Sequence, residues 1–174
     1  KRTKDLTVTA ENSADSASIA DFKRQKRYRL MWMDTKYESG TVKVVAYNEK
    51  GDAVAEKEIH TAGKPDHIEL VADRNEIKAD GKDLSFVTVR VVDKEGNLCP
   101  DAQHLIKYSV KGAGTYRAGA NGDPTSLELF HVPQMKVFNG MMTAVVQSTD
   151  KPGEITLTAT GKGLKSGRLV LMSK

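Results

Sequence analysis

The sequence predicts an all-β fold assembled from sandwich modules, and three observations carry that prediction. Apolar residues recur with period two through most of the chain after residue 27, the spacing that places alternate side chains on one face of a strand. Strings of Gly, Asn, Asp and Pro break these segments at short intervals, as turns between short strands do. Beyond residue 27 no stretch keeps the 3.6-residue apolar spacing of an amphipathic helix.

Residues 5–21 are rich in Ser, Ala, Thr and Asn and lack sustained periodicity. A short helix over 17–27, capped by Ser16, would have only Ile19 and Phe22 to bury, too little of a face to hold it firmly. Tyr28, Leu30 and Trp32 then alternate with Arg29, Met31 and Met33, and Glu38-Ser39-Gly40 turns the chain. Val42, Val44 and Ala46 share one face of the next strand. Asn48-Glu49-Lys50-Gly51-Asp52 is a turn with Gly where positive φ is favoured, and 53–60 run back as a third strand. Three strands are near the minimum for a sheet to stand alone. Thr61-Ala62-Gly63-Lys64-Pro65-Asp66 has linker composition. The domain boundary is placed there, with 1–63 a partial module with an irregular lead-in and 64–174 a complete one.

Ile68, Leu70 and Ala72 open the second module, and Ala79-Asp80-Gly81-Lys82 turns into its strongest strand, 84–93, with Val87, Val89 and Val91 on one face. Asp93-Lys94-Glu95-Gly96-Asn97 repeats the turn pattern of 48–52, again after a Val-rich strand. Ile106, Tyr108 and Val110 mark the next strand, 112–124 is Gly-rich and expected to be irregular, and 138–148, 154–160 and 168–172 are the remaining strands. Six or seven short strands of this kind read as an immunoglobulin-like β-sandwich, without the Cys–Trp–Cys pattern of antibody domains.

Composition narrows the function classes. At 174 residues the chain suffices for one large domain or two small ones. No apolar run approaches the ~18 residues of a membrane-spanning helix. Its start, Lys1-Arg2-Thr3-Lys4, carries neither Met nor a signal peptide and reads as a piece of something longer. The net charge of +4 is mild, and the dense basic run Lys23-Arg24-Gln25-Lys26-Arg27-Tyr28-Arg29 has one aromatic beside it. That run reads as a solvated lead-in to a strand rather than a nucleic-acid surface. Aromatic residues make up only 6% of the chain, few for a module that stacks on sugars.

Catalytic patterns are not met. His60, His67, His104 and His131 stand singly, without a short metal-binding spacing, and a lone Cys99 rules out a multi-cysteine site. Gly163-Leu164-Lys165-Ser166-Gly167 has its Ser one place off a nucleophile elbow. Gly112-Ala113-Gly114-Thr115-Tyr116-Arg117-Ala118-Gly119 lacks both the dinucleotide spacing and the phosphate-loop lysine. Cys99 has no base beside it in sequence. No catalytic residue, metal or cofactor is therefore expected. The candidate contact residues are Trp32, which reads first as core, and Asn121, Asp123 and Ser126 of the string Asn121-Gly122-Asp123-Pro124-Thr125-Ser126. That string reads first as a double turn whose Asp and Ser bond backbone amides. Its alternative is a loop offering carboxylate and hydroxyl groups to a ligand or a neighbouring domain.

Several strings occur together in one order: Tyr28-Arg29-Leu30-Met31-Trp32-Met33-Asp34, Tyr37-Glu38-Ser39-Gly40-Thr41-Val42-Lys43-Val44-Val45-Ala46-Tyr47, Thr61-Ala62-Gly63-Lys64-Pro65, Ala79-Asp80-Gly81-Lys82-Asp83-Leu84-Ser85-Phe86-Val87-Thr88-Val89, Asn121-Gly122-Asp123-Pro124-Thr125-Ser126, Phe138-Asn139-Gly140 and Val145-Val146-Gln147-Ser148. In combination, over about residues 28–172, they resemble the C-terminal region of bacterial glycoside hydrolase family 2 β-galactosidases. The resemblance implies a parent that cleaves terminal β-galactosides with retention, in the periplasm or outside the cell. Its catalytic glutamates would lie in a (β/α)₈ barrel upstream, and no segment of this chain matches their motifs. The chain itself would be a non-catalytic accessory region whose partner is the barrel of the same parent chain. A homo-oligomer or a carbohydrate are further partners to test, and neither nucleic acid nor a membrane is expected. The competing readings are a carbohydrate-binding module and an adhesin-like stalk of immunoglobulin-like repeats.

Overall fold

Period-two sequences sort themselves into a buried and an exposed row, and two such sheets facing each other share one core. In the computed structural model residues 36–174 are described, and among them lie eleven strands and no helix. The helix expected over 17–27, the strand expected over 28–33 and Trp32 lie outside the described residues. The chain divides into two units, Lys1–Ser39 and Gly40–Lys174, and the strands belong to the second.

β1 (Thr41–Tyr47) and β2 (Ala53–His60) form an antiparallel hairpin with Val42 opposite Ile59 and Lys43 opposite Glu58. The turn between them is held by Asn48, whose Oδ1 accepts the amides of Lys50 and Asp52 while Gly51 sits at φ 85°. The turn at 93–97 has the same build. Asp93 Oδ1 accepts the amides of Glu95 and Asn97, and Gly96 also sits at φ 85°.

The rest is an all-β sandwich. β3 (His67–Ala72), β5 (Leu84–Val92), β9 (Met141–Ser148) and β7 (Gly114–Ala120) make a four-stranded sheet in the order β3-β5-β9-β7. β4 (Glu76–Ile77), β11 (Gly167–Ser173), β10 (Gly153–Gly161), β6 (Leu105–Gly112) and β8 (Gln134–Lys136) make a five-stranded one in the order β4-β11-β10-β6-β8. Only the short β4–β11 pair is parallel among these. The inward rows interleave: Val87, Val89 and Val91 of β5 with Ala144 and Val146 of β9, against Ile106 and Tyr108 of β6, Ile155 and Leu157 of β10 and Leu171 of β11. Outward neighbours such as Thr88, Thr143, Thr156 and Thr158 keep the alternation visible.

Three expectations need correction. The stretch 112–124 is not irregular throughout, because β7 occupies Gly114–Ala120. Gly112, at φ 92°, turns β6 back; a side chain there would run into the Glu154 carbonyl. A register shift between Tyr116 and Ala118 then breaks the period-two signal in β7. The segment 138–148 is not one strand, since Asn139 at φ 50° and Gly140 at φ 73° make a turn, and β9 starts after it. Such an Asn-Gly pair is the usual chemistry of a tight hairpin turn. The six or seven strands expected of the sandwich become nine with β7 and the two shortest, β4 and β8, which fall below the length at which alternation can be read.

Residues 61–66 run between hairpin and sandwich in no strand, and Asp93 fixes them. Its buried carboxylate accepts the Gly63 amide at 2.7 Å, the amides of Glu95 and Asn97 at 3.0 and 2.8 Å, and Asn97 Nδ2 at 3.1 Å. These donors, the Gly63 amide first, outweigh burial and hold the carboxyl down to about 2 from its ordinary 3.8. Cys99 closes the clamp, with Sγ 3.7 Å from the Gly63 carbonyl oxygen. Farther on, Asp66 receives Lys165 Nζ at 3.0 Å, and the Lys165 amide donates to the Asp66 carbonyl.

Two outcomes follow for stability. Leu157→Ala at a fully buried position should cost about 2–5 kcal/mol in urea or guanidinium unfolding, against less than ~1 kcal/mol for Val170→Ala on the exposed face of β11. The Asp93 carboxylate stabilises the fold above the unfolded value of 3.8, and that contribution is lost as pH falls from there through about 2. Asp93→Asn should therefore melt below the wild type at pH 7, and the gap should narrow between pH 4 and 2, as followed by circular dichroism; a gap that is constant with pH contradicts the clamp.

Candidate functional site

The connection from β7 to β8 crosses from one sheet to the other at the side of the sandwich where both sheets have an edge strand. Its first half contains Asn121, Asp123 and Ser126, which the structure brings together in consecutive turns. Asn121 Oδ1 accepts the Asp123 amide at 3.0 Å, and its Nδ2 donates to the Lys136 carbonyl at 3.0 Å. Asp123 Oδ1 accepts the Thr125 amide at 2.8 Å and the Thr125 hydroxyl at 2.7 Å. These two donors, the amide first, draw the Asp123 carboxyl below its ordinary value. Ser126 Oγ accepts the Glu128 amide at 3.3 Å. The double turn expected of this string is what forms.

Side chains that sequence reasoning passed over complete the loop. Glu128 reaches back so that both carboxylate oxygens lie 3.2 Å from the Lys136 amide of β8. The Phe130 carbonyl accepts the Gly119 amide of β7 at 2.8 Å and the Tyr116 hydroxyl at 3.4 Å. Tyr116 stacks on core Tyr108 with ring centroids 5.5 Å apart, and its burial pushes its hydroxyl up to about 12. Asn121, Asp123, Ser126 and Glu128 are half-buried, whereas Leu127, Leu129 and Phe130 are 95, 61 and 61% exposed. The visible signal was the run Leu127-Glu128-Leu129-Phe130 in a segment bounded by Pro124 and Pro133.

Elsewhere among the described residues the displaced carboxyl and thiol groups answer to hydrogen bonds, an ion pair and burial. The carboxyl groups with displaced pKa, Asp66, Asp80, Asp83, Asp93 and Asp123, are all drawn down, chiefly by backbone amides or by Lys165. A general acid requires the opposite shift. Burial pushes the Cys99 thiol up, and Asp93 nearby adds to it, away from a nucleophilic thiolate. Among the described residues no three His, Cys, Asp or Glu side chains converge as a metal site would require.

Comparison with known proteins supplies the family. The family model of the glycoside hydrolase family 2 C-terminal domain 5 matches residues 68–170, and a domain of unknown function, DUF4982, matches residues 8–55. The chain belongs to the glycoside hydrolase family 2 C-terminal domain 5 family. The β-galactosidase BoGH2A of Bacteroides ovatus is 50% identical over 139 residues, covering 80% of this chain and 16% of that protein. A β-galactosidase of Thermoanaerobacter pseudethanolicus is 32% identical over 134 residues, covering 77% and 16%. Among solved structures, a glycosyl hydrolase family 2 member from Bacteroides cellulosilyticus superposes with a TM-score of 0.75 at 36% identity, covering 80% of this chain and 18% of that one. The chain thus spans about one sixth of the length of the curated relatives it matches.

The loop's polar scaffold has a direct test. Asp123→Ala removes both bonds from Thr125, so exchange of the Thr125 amide should rise about tenfold or more while the Leu157 amide in β10 is unchanged. Native-state hydrogen exchange by NMR reads both.

Proposed function

We propose that the chain is a non-catalytic accessory region of a retaining β-galactosidase of glycoside hydrolase family 2, with 64–174 its terminal sandwich and 1–63 part of the preceding module. The observation that carries this reading is the 50% identity to a stretch amounting to 16% of a β-galactosidase. The two family models, meeting residues 8–55 and 68–170, support a boundary near residue 64. The displaced carboxyl groups support the accessory role. Retaining hydrolysis needs two carboxyl groups ~5 Å apart across the glycosidic bond, one of them kept protonated. In the described residues the displaced carboxyls are spent on turns and on Lys165, and are drawn toward ionisation.

The role left to such a region is packing against the rest of its parent, with Asn121, Asp123 and Ser126 building the contact loop rather than meeting a sugar. The purified 174-residue chain should release no chromophore from a p-nitrophenyl β-galactoside above the buffer rate, while the full-length parent should. Turnover by the chain alone would overturn the reading.

A further inference from the structure

The β7–β8 loop is built inside out. Its polar side chains turn toward the loop and β8, where they are hydrogen-bonded. Its three large apolar side chains, Leu127, Leu129 and Phe130, turn to solvent. Scattered exposed apolar residues are ordinary on a protein surface, but three within four positions on a tethered loop are a contiguous presentation. The loop is also pre-shaped: Asn121 and Glu128 tie it to β8, and the Phe130 carbonyl ties it to Gly119 and Tyr116 of β7. Anchors held in place in this way cost little ordering entropy when they are buried.

We propose that Leu127, Leu129 and Phe130 dock the sandwich into an apolar recess on polypeptide that precedes it in the same parent chain. This inference rests on the accessory reading and names its contact surface. The extent of the relatives chooses that occupant over a second copy: the matched stretch is 16% of each, so most of such a parent lies outside it, and a linker holds a tethered surface at an effective concentration near millimolar.

Leu127→Cys places a thiol on the most exposed position of the loop, in a chain whose native Cys99 is buried. Maleimide labelling at that peptide, read by mass spectrometry, should be fast in the 174-residue chain and at least about tenfold slower in the full-length parent. Adding Leu129→Ser and Phe130→Ser should restore the fast rate in the parent. Amide exchange at Leu129 and Phe130 in the unsubstituted parent gives the same contrast without altering an anchor. Equal labelling and equal exchange in chain and parent would overturn the proposal. So would protection that grows with concentration in the chain alone, the mark of a second copy. Neither readout uses catalysis, so a parent that fails to hydrolyse β-galactosides leaves the docking result readable.

Discussion

The meeting of two apolar sheet faces is the constraint from which the rest of the sandwich follows. Val87 and Val89 of the four-stranded sheet and Ile155 and Leu157 of the five-stranded sheet are fully buried, and each depends on the opposite sheet for that burial. Interiors of this kind are packed as densely as organic crystals. A core filled mainly with Val, Ile, Leu and Ala, with Tyr108, Met135, Met142 and Cys99 among them, holds the two sheets in place. The core reaches the loop through one aromatic pair: Tyr108 is buried, Tyr116 stacks on it, and the Tyr116 hydroxyl meets the Phe130 carbonyl.

Two polar devices sit at the margins of that core and divide the work. The Asp93 carboxylate, with Cys99 beside it, holds Gly63 and so fixes how the chain enters the sandwich. A carboxylate satisfied by three amides and a side-chain amide is a structural group, and the depression of its pKa reports that satisfaction rather than reactivity. The second device is the scaffold of Asn121, Asp123, Ser126 and Glu128, which spends its polar groups on shaping a loop whose apolar side chains face out. Read in sequence, such a segment is first a double turn and second a set of ligand groups, and the hydrogen bonds of Asn121, Asp123 and Ser126 are those of the turn.

Most of the sandwich was legible because its long strands alternate cleanly: Val87, Val89 and Val91 in β5 and Ile155, Leu157 and Ala159 in β10 mark their buried faces without help from context. The paired turns at 48–52 and 93–97 were also legible, and their matching hydrogen bonds follow from an Asn or Asp three residues before a Gly. β7 was not, because small residues and a register shift erase its period, and β4 and β8 are two and three residues long. In the loop the local turn chemistry of Asn121 to Ser126 was readable. The outward turn of Leu127, Leu129 and Phe130 was not, since it depends on Glu128 reaching β8 and on Phe130 lying along β7, contacts made only once both sheets exist.

The accessory role proposed for this region, support of a catalytic unit without a reacting group of its own, is tested by comparing the full-length parent with the same protein ended at residue 63, assayed on a chromogenic β-galactoside below the temperature at which either inactivates. The two should show kcat and KM within about threefold of each other per folded active site, and the shortened protein should inactivate faster on heating. A shortened protein that stays folded and keeps its KM but loses kcat by orders of magnitude would contradict it, because the sandwich would then be contributing to the transition state.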